Sequence, residues 1–206
     1  MMNSAFFSIV RTSIFFCCIA AAEILPLIDT HCSLLLSPPR DPAEYTAIYL
    51  RGQGQHCKSV LKAGGIVTYS YILNKNRIPV ISDGVVLLTP LNLDTGSEVE
   101  SGAAAYAAIM ANGKAVAGQI LGFRLGGHGD ELSNIFPQSL VCKGLWEQFE
   151  DKIYSCLTND PLSTARLSWS FYYSNPSATQ PSQITYSALF LGGKKLCSSM
   201  KQTFYN

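Results

Sequence analysis

Apolar and polar residues alternate in two stretches of the chain, and both stretches predict β-hairpins. Residues 66–72 and 78–80 are strand-like runs on either side of a short polar turn, and residues 85–88 predict a further strand. Residues 167–173 and 184–191 are also β-rich, and a polar linker with two prolines joins them. This pattern is typical of an antiparallel sheet.

Helical periodicity marks the middle of the chain. Residues 100–112 are rich in alanine and end at a glycine, which predicts a short helix with a glycine stop. Residues 115–123 return to strand character, residues 124–137 form a glycine-rich loop, and residues 143–157 place apolar side chains on one helical face. The order of strands, helix, strand, loop, helix and strands predicts an α+β fold around an antiparallel sheet.

The N-terminus has the pattern of a secretory signal. Arg11 precedes an apolar run at residues 13–19, and three alanines follow at the position where a signal peptidase needs small residues. The run is shorter than the roughly 20 residues of a membrane span, although an uncleaved anchor stays open as the alternative. We expect a secreted, extracellular protein with no membrane span after cleavage. Its predicted parts are a signal peptide (1–22), an N-terminal arm (23–65) and one folded domain (66–206).

The charge balance argues against a tight non-specific nucleic-acid binder. The chain has 15 basic and 14 acidic residues, and removal of the signal peptide takes away only Arg11. The remaining charges balance, whereas strong binding to DNA or RNA usually needs a basic surface. A hydrophobic content of 48% against 14% charged residues indicates a packed core rather than disorder.

Cysteine usage fits an oxidising compartment. Two of the seven cysteines lie in the signal segment, and the odd number that remains leaves one thiol without an intrachain partner. If the second predicted helix forms, Cys142 and Cys156 lie roughly 21 Å apart and cannot form a disulfide. We predict the pairs Cys32–Cys57 and Cys156–Cys197, with Cys142 free.

A series of short motifs carries a family resemblance. In order, they are Gly118-Gln119-Ile120-Leu121-Gly122, Leu125-Gly126-Gly127-x-Gly129-Asp130, Ser133-Asn134-Ile135-Phe136-Pro137-Gln138, Gly144-x-Trp146 and Phe149-Glu150. Their order and spacing resemble the DNA/RNA non-specific endonucleases, which have the ββα-metal (His-Me finger) site. The resemblance covers residues 66–192. It implies a ββα-metal endonuclease-like fold with an antiparallel sheet and flanking helices.

The two residues that this family uses most directly in catalysis are replaced. Hydrolysis of a phosphodiester needs a general base for water and a divalent cation for the charge that develops on phosphate. The family's base is the histidine of Gly-His-x-x-Gly, and that position is Gln119, whose amide does not titrate near neutral pH. The family's metal-binding asparagine corresponds to Cys142 when counted back from the helix, or to Lys143 when counted forward from Gln138. Mg²⁺ prefers hard oxygen ligands, so neither a thiol nor an ammonium replaces the asparagine.

Other positions of the family pattern are kept. Glu150 corresponds to the helix glutamate that orients metal-bound water, one turn after Trp146, and Asn134 and Gln138 match the Asn-x-x-Pro-Gln stretch. Each has a structural alternative. Asn134 and Gln138 can satisfy backbone groups in the loop, and Glu150 without a metal is a polar helix residue.

Two residues beside these motifs are further candidates. Arg124 can grip two phosphate oxygens, or it can pair on the surface with Asp130 or Glu131. His128 lies between glycines in the loop, where it is either a replacement base or simply solvated.

Together these features predict a secreted endonuclease-like protein that is impaired in catalysis and acts by binding, either weakly to DNA or RNA or to an extracellular protein. No cofactor is expected. The alternative is an active nuclease that uses Mg²⁺ to hydrolyse DNA and RNA, and a third interpretation is a purely structural module.

Overall fold

The computed structural model describes residues 55–193 and 197–206. The predicted signal peptide and most of the predicted arm, including Cys32, lie outside these residues. Within the described part, no helix is long and apolar enough to cross a membrane.

The described residues form two antiparallel sheets and two α-helices. The strands are β1 (Gln55–Val60), β2 (Ile66–Leu73), β3 (Pro79–Leu88), β4 (Val116–Gln119), β5 (Ile135–Gln138), β6 (Ser163–Tyr172), β7 (Gln183–Gly192) and β8 (Met200–Tyr205). The helices are α1 (Ser101–Met110) and α2 (Leu140–Asn159). Six strands form the larger sheet in the order β1-β2-β3-β6-β7-β8, and β4 pairs with β5 in the smaller one.

The α+β class, both hairpins and both helices are confirmed, and several boundaries differ from the predictions. Residues 85–88 continue β3 instead of forming a separate strand. Gln55–Val60, which the sequence pattern placed in the arm, pairs with β2 at the edge of the large sheet. Helix α2 begins before residue 143 because Ser139 caps it, and the hydroxyl of Ser139 accepts a hydrogen bond from the Cys142 amide at 3.2 Å.

The core lies between α2 and one face of the six-stranded sheet. Successive residues of a strand point to opposite faces, and the inward ones are apolar or aromatic. Trp146 and Phe149 of α2 lie against Tyr186 of β7, with ring centroids 4.7 and 4.9 Å away. This aromatic contact fixes α2 across the sheet.

Between β3 and β6 the chain leaves the large sheet and builds a separate layer from α1, β4, β5 and α2. In this layer Gln119 lies opposite Ile135, and only Ser139 separates the end of β5 from α2. Ala103 and Ala107 of α1 pack against Ile135, since their small side chains allow the helix to approach closely. The ends of β4 and β5 are therefore held next to the first half of α2.

Candidate functional site

A cleft of about 480 Å³ opens where β4, the glycine-rich loop and α2 meet. Gln119 at the end of β4, Gln138 at the end of β5 and Glu150 in α2 all line it. Three of the positions that the resemblance singled out therefore meet at one place in the fold. Further lining residues include Arg124, Lys143, Trp146, Glu147, Asp151 and Tyr154.

The glycines of the motifs allow close approaches around this cleft. A Cβ on Gly122 would lie 2.2 Å from Oε2 of Glu150, and a Cβ on Gly127 would lie 1.7 Å from the carbonyl oxygen of Leu121. Gly126 has a φ of +96°, a conformation that favours glycine. Packing alone therefore requires these glycines, whatever the cleft does.

Glu150 is buried at the back of the cleft. Its Oε1 accepts hydrogen bonds from the Gly122 amide at 3.0 Å and from the Tyr186 hydroxyl at 3.3 Å. Burial raises the pKa of Glu150 to about 8, and these two hydrogen bonds oppose the rise. Most of this carboxyl group is therefore protonated at neutral pH. Tyr186 has no local motif in the sequence, because its contact with Glu150 depends on the packing of β7 against α2.

The Gln119 side chain is hydrogen-bonded to two backbone carbonyls beside the cleft. Its Nε2 donates a hydrogen bond to the carbonyl oxygen of Ser97 at 2.9 Å and makes a longer one to that of Gly127 at 3.5 Å. An amide offers two donor hydrogens and no titratable proton near neutral pH. Gln119 thus joins the segment before α1 to the glycine-rich loop.

The start of α2 separates the two candidates for the metal position. Cys142 is buried and is not a lining residue, and its Sγ accepts a hydrogen bond from Nε2 of Gln138 at 3.5 Å. Burial raises the pKa of the Cys142 thiol. Lys143 lines the cleft instead, and its Nζ lies 3.4 Å from Oε1 of Glu147. Lys143 is therefore the first residue of α2 that lines the cleft, and it places an ammonium group there.

Arg124 has a different partner from those that the sequence offered. It pairs with Asp151 of α2 at 2.5 Å rather than with Asp130 or Glu131. Its guanidinium also lies over the ring of Tyr154, 3.8 Å from the centroid. The partner lies on a helix that contacts the loop only after folding, so no spacing in the sequence indicates it.

Asn134 and His128 do not line the cleft, and Asn134 is hydrogen-bonded within the glycine-rich loop. The Asn134 side chain bonds both the amide and the carbonyl of Leu121 at 2.9 Å, and it donates to the His128 carbonyl at 3.1 Å. The hydroxyl of Tyr69 donates to the same side chain at 3.0 Å. Asn134 therefore has the structural role that was one of its two interpretations, and the His128 side chain is not among the groups that line the cleft.

The donor set of the cleft does not fit Mg²⁺, the cation of the family that the chain resembles. The described residues contain no group of three or more His, Cys, Asp or Glu side chains that could hold a metal ion. In the cleft itself, the Lys143 ammonium opposes a divalent cation.

The two predicted disulfides differ in what the described residues show. Cys156 and Cys197 are joined, and Cys142 is free, both as predicted. Cys57 is disulfide-bonded as well, and its predicted partner Cys32 lies outside the described part.

Comparison with protein-family models and with curated proteins finds no match to this chain.

Proposed function

We propose that this chain is a secreted binding protein built on the ββα scaffold of the DNA/RNA non-specific endonucleases, with a cleft that does not hydrolyse phosphodiesters. The order of β4, glycine-rich loop, β5 and α2 supports the scaffold. The meeting of Gln119, Gln138 and Glu150 at one cleft supports the alignment of the motifs. The Cys156–Cys197 disulfide supports an oxidising, extracellular location.

One observation supports the loss of hydrolysis. The side chains at the two catalytic positions, Gln119 and Glu150, are already hydrogen-bonded to backbone groups of the protein. The Gln119 amide donates to backbone carbonyls and cannot accept a proton from water. Oε1 of Glu150 already accepts hydrogen bonds from the Gly122 amide and the Tyr186 hydroxyl within the protein. His128, the conceivable replacement base, does not line the cleft.

The charges of the cleft favour a partner other than a phosphate backbone. Arg124 and Lys143 are each paired with a carboxylate of α2, and Glu98 adds an exposed carboxylate to the lining. A nucleic acid would have to displace both ion pairs before the two cations could contact its phosphates. We therefore expect weak binding of DNA or RNA at most. An extracellular protein segment, which can use the aromatic and polar lining together, is the partner that we favour.

A digestion assay tests this function. Plasmid DNA and RNA are incubated with the purified protein and Mg²⁺ or Mn²⁺, at pH values below and above the pKa of Glu150. We expect no more cleavage than in a heat-inactivated control. Robust cleavage that EDTA and His128→Ala abolish would contradict the proposal.

A pair of double variants tests which helix position corresponds to the family's metal ligand. Gln119→His with Lys143→Asn should recover some Mg²⁺-dependent cleavage, because residue 143 faces the cleft and general-base catalysis alone contributes about 10²–10⁴-fold. Gln119→His with Cys142→Asn is the matched control and should stay inactive, since residue 142 is buried and does not line the cleft. The reverse result would assign the metal position to residue 142.

A further inference from the structure

Many exposed aliphatic side chains gather at one end of the six-stranded sheet. Their exposed fractions run from 43% for Leu191 to 76% for Leu91. Exposed apolar groups that are contiguous, rather than scattered singly, mark interaction surfaces. We call this set the sheet-end patch, and its members are Val60, Ile66, Leu87, Leu91, Leu162, Leu189 and Leu191.

The strand register places four members of the patch, Val60, Ile66, Leu87 and Leu189, in one row across the sheet. Val60 pairs with Ile66, and Ile66 lies beside Leu87, one position beyond the last register pair of β2 and β3. On the other side, Arg166 pairs with both Leu87 and Leu189. The row crosses five strands and is about 19 Å wide, at about 4.8 Å per strand. It lies on the face of the sheet away from α2.

The charges around the patch are basic. Lys58, Lys62 and Arg166 are exposed beside or within the row, and none of them forms an ion pair within the described part of the chain. In the connections at this end of the sheet, Asp160 is buried, and the exposed Asp94 accepts a hydrogen bond from the Tyr154 hydroxyl of α2 at 2.6 Å. Long basic side chains can cover apolar surface with their stems and keep the charge outside it.

We propose that the sheet-end patch docks on the surface of an anionic lipid bilayer. The aliphatic side chains would enter the headgroup region, while Lys58, Lys62 and Arg166 would lie against lipid phosphates, a combination that strengthens binding to anionic membranes.

The composition of the patch favours lipid over protein. Protein interfaces are enriched in aromatic residues and depleted in lysine, whereas this patch has no aromatic side chain and two lysines beside it. Face-to-face contact with a second copy would also bring Arg166 near its counterpart. This docking surface is separate from the cleft, so its test is independent of the proposed function.

A vesicle assay tests the docking surface. The protein is expressed from the full chain and purified in the form that the host releases, so that all variants share one N-terminus. Co-sedimentation is measured with vesicles of phosphatidylcholine alone and of phosphatidylcholine with phosphatidylserine. We expect binding to the anionic vesicles that falls with added salt.

Matched variants locate the contact. Leu87→Ser with Leu189→Ser should lower binding at least about tenfold. Leu140→Ser with Val141→Ser alters side chains that are 74% and 75% exposed at the start of α2, and this control should bind as the unmodified protein does. Lys62→Glu with Arg166→Glu should remove the preference for anionic vesicles, whereas Lys152→Glu on α2 should keep it.

Two results would overturn the proposal. One is the wrong pattern of vesicle binding. The protein would then not bind vesicles at all, would bind both kinds of vesicle equally, or would bind unchanged in the Leu87→Ser, Leu189→Ser variant. The other is a concentration-dependent dimer that the same variant dissociates, because the patch would then be a contact between copies of the chain.

Discussion

Gly122 lies so close to Glu150 that position 122 does not tolerate a side chain. A Cβ on Gly122 would lie 2.2 Å from Oε2 of Glu150. Gly122→Ala should therefore lower the free energy of unfolding by about 1–3 kcal/mol, measured by urea denaturation. Gly144→Ala is the control, because nothing lies within 4 Å of a Cβ there and alanine stabilises a helix interior by about 0.5–1 kcal/mol. Equal stability of Gly122→Ala and the unmodified protein would contradict this close contact.

Glu150 also gives the protein a defined pH dependence. Its pKa rises from 4.5 to about 8 on folding, so the folded state holds this proton more tightly than the unfolded chain does. The stabilisation from Glu150 is complete below about pH 4.5 and declines as the pH rises to about 8, by an amount on the order of a few kcal/mol.

Glu150→Gln should remove this decline, because the amide stays neutral and can still accept from Gly122 and Tyr186. Urea denaturation across the same pH range measures the effect. Glu98→Gln, which alters an exposed carboxylate elsewhere in the lining of the cleft, should leave the decline unchanged. A decline that persists in Glu150→Gln would assign it to another group.

Single residues also show which contacts of the site could be predicted from the sequence. The motif spacing was enough to expect Gln119 near Glu150, because each lies in a predictable element. Residues 135–137 were predicted as part of the loop, but they belong to β5, which ends at Gln138 and brings it to the same cleft. Tyr186 and the Asp151 partner of Arg124 were not predictable, because each contact joins elements that meet only through tertiary packing.

At the scale of elements, the Cys156–Cys197 disulfide ties the end of α2 to the segment before β8. The bond closes a loop with a sequence separation of 41. Replacing both cysteines with alanine should lower the free energy of unfolding by about 3–4 kcal/mol, because the unfolded chain gains freedom. Urea denaturation of the unmodified protein and of this double variant, both without reductant, measures the loss, and Cys142→Ala should not reproduce it. A non-reduced peptide that links residues 142 and 156 would contradict the assignment.

Elements were predictable where periodicity was strong and the element long. Both helices and both hairpins have clear patterns, whereas β5 is only four residues long and contains Pro137, which weakens its strand signal. The edge strands β1 and β8 include lysines and other polar residues, which suit an edge but resemble a loop in sequence. The earlier start of α2 follows from the Ser139 cap, a local signal that the apolar periodicity alone does not include.

At the scale of the whole molecule, the sheet order predicts a gradient of local stability. The β3–β6 pair lies at the centre of the six strands, and β1 and β8 lie at its edges. Hydrogen exchange should be slowest for amides near Val86 and Leu167 and faster in β1 and β8, because edge strands open without disrupting the core. Equal protection of edge and centre would indicate that the sheet opens only by global unfolding.

The crossover from β3 to β6 has a consequence for how such a molecule evolves. Leu88 pairs with Ala165, so the chain leaves the large sheet and returns to it at neighbouring points. Segments whose two ends lie close together can be exchanged or diversified with little effect on the structure that carries them. Residues 89–162 can therefore accumulate substitutions as one unit, provided that the core side of α2 keeps its aromatic residues. Selection can then give the cleft a new ligand while the inherited sheet stays the same.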